Sequence, residues 1–267
     1  MKKTLIALAV AASAVVSGSS MASSWSPSGA GGSVDMGGTL TPKTKETPWA
    51  VKVGSNVKES LDAKIEKGQT VVDIPVKHPI PLLGIRTQTK ATFDGQKGIS
   101  PQISYGDALD LGSYKADKSG LAKLTLKVKA SNGVDEIGVL TTKVFTGADS
   151  VHKGPKDEKA LRQHLYAATA GKAFFGGLPK SEGAVSMDTY NVAYSAGIEY
   201  IENFVGITSP ESAQPAQTDY SDPAKYSAIY YAGIKPDTHI SISLKNAATG
   251  ADPIQWKASL PITVSYM

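Results

Sequence analysis

Four histidines, His78, His152, His164 and His239, are the side chains here best suited to proton transfer or metal ligation, and their spacing serves neither. Protein zinc sites bring ligands together a few residues apart on one element, and no such pair occurs; no carboxylate partner can be inferred for any of the four. Glu199 and Glu202 would share a helix face, but a helix surface carries such carboxylates for solvation more readily than for acid–base work. There is no Gly-x-Ser-x-Gly elbow. Gly29-Ala30-Gly31-Gly32 and Gly37-Gly38 lack the following Gly-Lys-Ser/Thr of a phosphate-binding loop. The absence of cysteine excludes a disulfide scaffold, a thiolate metal site and a thiol nucleophile. The expectation is a protein that is not an enzyme, with no metal and no cofactor. Aromatic rings are the remaining candidates for ligand contact. Tyr190, Tyr194 and Tyr200 lie in the centre of the chain, and an exposed tyrosine can stack on the apolar face of a pyranose. Tyrosines at helical spacing also suit a packed face, and both readings stay open.

The elements that must position these groups read mostly as strands. The chain opens with Met1-Lys2-Lys3-Thr4, an apolar run over 5–12 and Ser20-Met21-Ala22, the pattern of a secretory signal peptide with cleavage expected after Ala22. Ser13 and Ser17 interrupt the apolar stretch, which falls short of the roughly 20 residues that span a bilayer. Export leaves 267 − 22 = 245 residues, enough for one large domain or two small ones and for a real core, and one domain with insertions is favoured. The 28 Lys and Arg against 24 Asp and Glu include Lys2 and Lys3, so the mature excess is only two charges and does not suggest nucleic acid. Lys115, Lys118, Lys123, Lys127 and Lys129 are spread along an expected edge or solvent face, where charge blocks edge-to-edge association.

Residues 23–32 are rich in Gly and Ser and read as a flexible lead. After them Val34, Met36, Gly38 and Leu40 alternate with Asp35, Gly37 and Thr39, which places the first four on one strand face. Alternating or β-branched segments predict strands over 49–53, 70–76, 99–105, 121–130, 137–145, 226–234, 238–245 and 254–266, divided by Gly, Pro and Asn-Gly turns. Asn132-Gly133 marks a hairpin. Many short strands with glycine-rich turns point to a mainly β sandwich. Residues 150–223 read as an insertion carrying one or two short helices. The first is expected from Asp157-Glu158-Lys159 through Leu161, Leu165 and Ala168 to a stop at Gly171. The second starts at Asp188, with Tyr190, Tyr194, Ile198, Ile201 and Val205 on one face. At the far end Leu260, Ile262, Val264 and Tyr266 alternate to the last residues.

The two ends together resemble chaperone–usher fimbrial subunits. The pattern of large apolar, any, large apolar, any, Gly, any, apolar at Val34, Met36, Gly38 and Leu40 is similar to that family's donor strand. The alternating C-terminal strand with a penultimate aromatic, here Tyr266, is similar to the strand that pairs with a periplasmic chaperone. Trp25, then Gly32-Ser33-Val34-Asp35-Met36-Gly37-Gly38, then Trp49 and Lys52-Val53-Gly54, resembles the Fae-type, kappa-class fimbriae of enteric bacteria. The chain departs from many members of the wider superfamily in having Ile254 where they have glycine, and in lacking a sandwich disulfide, which the kappa class also lacks.

The resemblance implies an incomplete immunoglobulin-like sandwich whose missing final strand leaves an apolar groove. A chaperone strand fills the groove first, and the N-terminal segment of the next subunit then replaces it. The contact is head-to-tail and builds an open filament. On this reading residues 1–22 are the signal peptide, 23–40 the donor extension and 41–267 the pilin domain. The implied partners are neighbouring subunits, a periplasmic chaperone and an outer-membrane usher, and the implied location is a surface fimbria reached through the periplasm. In Fae-type fibres the major subunit is itself the adhesin for host glycoconjugates. The ends match that class better than the middle does, which favours a minor subunit; the major subunit, or a secreted carbohydrate-binding sandwich acting alone, are the alternatives. Burial of Val34, Met36 and Leu40 should contribute roughly 5–9 kcal/mol, against a domain stability of about 5–15 kcal/mol.

Overall fold

Period-two alternation builds the framework of the computed structural model, which describes residues 46–55, 57, 61–205, 211–212, 214–250 and 252–267. Strand Leu121–Ala130 (β7) buries Ala122, Leu124 and Val128 and turns Lys123, Thr125, Lys127 and Lys129 to solvent. It pairs antiparallel with the first half of Glu136–Lys153 (β8). In the turn between them Gly133 takes φ +74°, and Asn132 Oδ1 accepts the N–H groups of Val134 and Asp135.

The long strand β8 changes partners at Phe145. Before it, β8 lies between β7 and His239–Leu244 (β12). Beyond it, β8 pairs with Lys225–Ile234 (β11) and Leu161–His164 (β9). Ile80–Thr87 (β3) continues from β11 to Trp49–Val53 (β1), and Val71–Pro75 (β2) adds to β12. Phe93–Asp94 (β4) joins β11, Leu109–Asp110 (β6) and Trp256–Ala258 (β13) join β7, and Glu211–Ser212 (β10) joins β9. Pro101–Ser104 (β5) and Thr263–Tyr266 (β14) form a second, two-stranded sheet. Between the layers lies a core that includes Leu83, Ile85, Ile99, Val128 and Tyr230. Trp49 is packed against Phe93, Phe174 and Tyr220, and its Nε1–H donates to the Ile99 carbonyl at 2.6 Å. The fold is thus a mainly β, open sandwich of the immunoglobulin-like kind, with helical turns confined to its central segment. The described residues belong to one compact unit, Glu46–Met267.

Tertiary structure replaces or narrows several local expectations. The helix expected over 157–171 is instead strand β9, because the edge of β8 beyond Phe145 carries backbone groups that need partners inside the protein. Asp157, expected to start that helix, accepts the Gly154 N–H at 2.7 Å and closes a turn. The second helix is Thr189–Ala196 (α1); Gly197 stops it at φ +152°, donating to the carbonyls of Ala193 and Tyr194. The C-terminal strand is split in two, β13 on β7 and β14 on β5. Strand β3, interrupted in sequence by Pro81 and Gly84, was not expected; burial between β1 and β11 holds it extended. Finally β7 is not an edge, since β8 lies on one side and β6 and β13 on the other, so its lysines occupy a solvent face.

Candidate functional site: an apolar groove

The inward faces of β7, β8 and β12 carry Leu124, Leu126, Leu140, Ile240 and Ile242, and these form the floor of an open groove of about 1350 Å³. Trp256, Ala258, Leu260 and Ile262 line it from the C-terminal run, and Val53, Val72 and Leu82 from β1, β2 and β3. Apart from Lys257, the charged groups around it come from the β1–β2 and β12–β13 connections: Asp62, Lys64, Lys67 and Asp252. From Trp256 to Tyr266 every second residue is half-buried and those between are exposed, so one face of the run turns toward the sandwich. Val53 and Ile254, at the groove's rim, are 55% and 42% exposed. A contiguous apolar surface of this kind marks a partner site.

The strands around the groove also have unpaired edges. β13 bonds to β7 on one side, β2 to β12 and β1 to β3, and among the described residues none of the three has a second strand partner. An edge of free N–H and C=O groups beside an apolar trough is what an added extended segment requires.

Of the residues expected at the C-terminal strand, Leu260 and Ile262 line this groove, while Val264 and Tyr266 pair with Ile103 and Pro101 and pack on the core. Val34, Met36, Gly38 and Leu40 lie outside the described residues. The three tyrosines do not form one ring-presenting face. Tyr194 is 56% exposed, whereas Tyr190 packs on Phe204 and under the Arg162 guanidinium. Tyr200 is 6% exposed, edge-on to Tyr231 at 5.2 Å between ring centroids, so its ring is closed to a stacking sugar.

Comparison with known proteins settles the family. A family model described as fimbrial, major and minor subunit, of the K88 type, matches residues 1–267. The chain belongs to this K88 fimbrial family. Similar relatives from Escherichia coli are K88 fimbrial protein AC, 27% identical, and F41 fimbrial protein, 28% identical, each aligned over 100% of both chains. K88 minor fimbrial subunit FaeI is 26% identical over 88% of both. As a K88-type fimbrial subunit the chain is a component of a surface fimbria that contacts other fimbrial subunits. No described helix is long and apolar enough to cross a membrane.

One charged cluster of this K88-type subunit was not legible beforehand. Asp149 on β8 is fully buried and accepts from Arg162 Nη2 at 2.5 Å and from His164 Nδ1 at 2.7 Å, both from β9. The Arg162 guanidinium also lies over the rings of Tyr190 and Phe204, at 5.5 and 5.7 Å. A single carboxylate therefore ties β9, α1 and the segment after it to the sandwich. The signal in sequence is the Arg162-x-His164 alternation, which has meaning only once the segment is known to be a strand. Around the core, burial pushes the phenols of Tyr105, Tyr114, Tyr220 and Tyr230 well above the ordinary tyrosine range. Tyr105 donates to Tyr230 at 2.8 Å, and Tyr230 in turn donates to the Gly177 carbonyl at 3.1 Å. These groups serve packing. Among the described residues no cluster of His, Asp and Glu could hold a metal ion.

Proposed function

We propose that this K88-type subunit assembles by donor-strand exchange along the chaperone–usher route. The observation that carries the reading is the apolar groove of about 1350 Å³ beside strands with a free edge. Residues 1–22 direct export and are removed, residues 23–40 form the donor extension, and 41–267 form the pilin domain with its insertion at about 150–223. Val34, Met36, Gly38 and Leu40 of one copy face the groove of the next, and Leu260, Ile262, Val264 and Tyr266 form the strand that first pairs with the periplasmic chaperone. Val34, Met36 and Leu40 match an apolar floor, and Gly38 suits a shallow stretch where two backbones approach closely. The usher receives the chaperone-bound subunit and passes it to the fibre.

Within the fibre we assign the chain a minor, structural place that contributes to adhesion to host cells. The packing of Tyr190 and the burial of Tyr200 favour this over a major subunit that itself binds glycans through those rings. Three forms of the chain, expressed in a periplasm with and without the cognate chaperone, provide the test. Residues 23–267 should be degraded alone and stable with chaperone. Grafting residues 23–40 onto the C-terminus should make the chain stable by itself. A stable chaperone-free monomer that fails to fold once residues 23–40 are deleted would overturn the reading.

A further inference from the structure

The outward faces of β7, β8 and β12 hold a second, polar depression of about 460 Å³, on the side opposite the groove's floor. Lys123 and Lys143 stand directly opposite one another across β7 and β8. Like charges in that relation repel and weaken a sheet. Neither lysine has an ion-pair partner among the described residues, whereas Lys127 on the same strand is paired with Glu136. Because β7 has strands on both sides, the pair guards no free edge. Beside it Thr141 and Ser241 face each other across β8 and β12, and their hydroxyls have no protein partner among the described residues. Thr142 and Thr238 differ, donating to the carbonyls of His239 and Lys235. Asp237, an acceptor, and the exposed His239 complete the lining.

We propose that this depression binds an acidic saccharide, with Lys123 and Lys143 on its sulfate or carboxylate and Thr141, Ser241 and Asp237 on its hydroxyls. Two lysines directly opposite one another on neighbouring strands can share one anionic substituent, and the volume falls in the range of small-ligand sites. A lone carboxylate among hydroxyls is redundant for a bare anion but accepts hydrogen bonds from sugar hydroxyls. Strand alternation keeps the site apart from the apolar groove, so it stays open whether or not the groove is filled, and the proposal does not depend on donor-strand exchange.

Binding is measured on the full chain exported to a periplasm and purified in the assembly state it adopts. The probes are a heparin tetrasaccharide, 3′-sialyllactose, lactose and inorganic sulfate. One or both acidic saccharides should bind at least tenfold more tightly than lactose, and the preferred probe tells sulfate from carboxylate. The double substitution K123Q/K143Q should weaken that binding at least tenfold with Tm unchanged or raised, because a repulsion is removed; K143Q alone should give a smaller loss. K90Q/K180Q, with the same change in net charge at exposed sites, should bind as the parent does. D237N should weaken the saccharide without weakening sulfate. Equal affinity for lactose and both acidic probes, or equal losses in K90Q/K180Q and K123Q/K143Q, overturns the proposal.

Discussion

Asp149 illustrates how much one buried carboxylate can control. Removing one partner of a buried ion pair costs about 3–5 kcal/mol, because the other charge is left without compensation. Asp149→Asn should therefore lower the urea-unfolding free energy by about that amount, since Arg162 loses its counter-charge and an amide NH2 replaces one of the two accepting oxygens. Glu202→Gln, which breaks the more exposed Arg86–Glu202 pair, should change it by no more than about 1 kcal/mol. The buried phenols give a second prediction at this scale. In the unfolded chain a tyrosine loses its proton near pH 10, while in the folded chain burial holds the proton to higher pH. Above about pH 10 the unfolded state then binds fewer protons, and stability falls by up to about 1.4 kcal/mol per pH unit for each such group. Denaturation curves at pH 9 and pH 11 should separate accordingly. Tyr220→Phe should reduce the separation, because the phenol it removes is fully buried.

At the scale of elements, the docking of α1 on β8 depends on a contact with no room to spare. A Cβ added at Gly147 would meet Thr189 Oγ1 at 2.3 Å, and Thr189 is fully buried at the start of α1. Gly147→Ala should push α1 outward, cost about 1–3 kcal/mol and speed amide exchange in α1. Adding Thr189→Ala should recover much of the loss, a coupling that a mutant cycle reads directly. Strand β1 is fixed differently, by a side chain. Trp49→Ala removes a buried ring with three aromatic neighbours and its hydrogen bond to Ile99. The expected cost is about 3–5 kcal/mol, measured by thermal unfolding.

For the whole molecule, the sandwich carries a groove whose floor is buried core and whose apolar rim, at Val53 and Ile254, is exposed. Anything that binds the folded state there raises stability by mass action. A peptide of residues 33–41 should therefore raise the Tm of the chain in a concentration-dependent way, and the same peptide with Val34 and Met36 replaced by Asp should not. Leu126→Arg places a charge on the groove floor and should abolish that shift. The opposite, hydroxyl-lined face of the same strands should be unaffected, since the two sets of side chains alternate.

The sequence by itself determined what depends on local pattern: the β class, the hairpin at Asn132-Gly133, the bounds of β1 and β7, and the alternating C-terminal run, because period two survives in any sheet that buries one face. Its end motifs also pointed to the fimbrial family before any comparison. Tertiary structure alone decided which backbone edges needed partners, and so made 161–164 a strand and not part of a helix. It decided that Tyr200 packs inward and that Asp149 meets Arg162 and His164. It also decided that scattered apolar residues from seven strands and the C-terminal run converge on one groove. Those outcomes rest on contacts between residues far apart in the chain, and no local spacing encodes them.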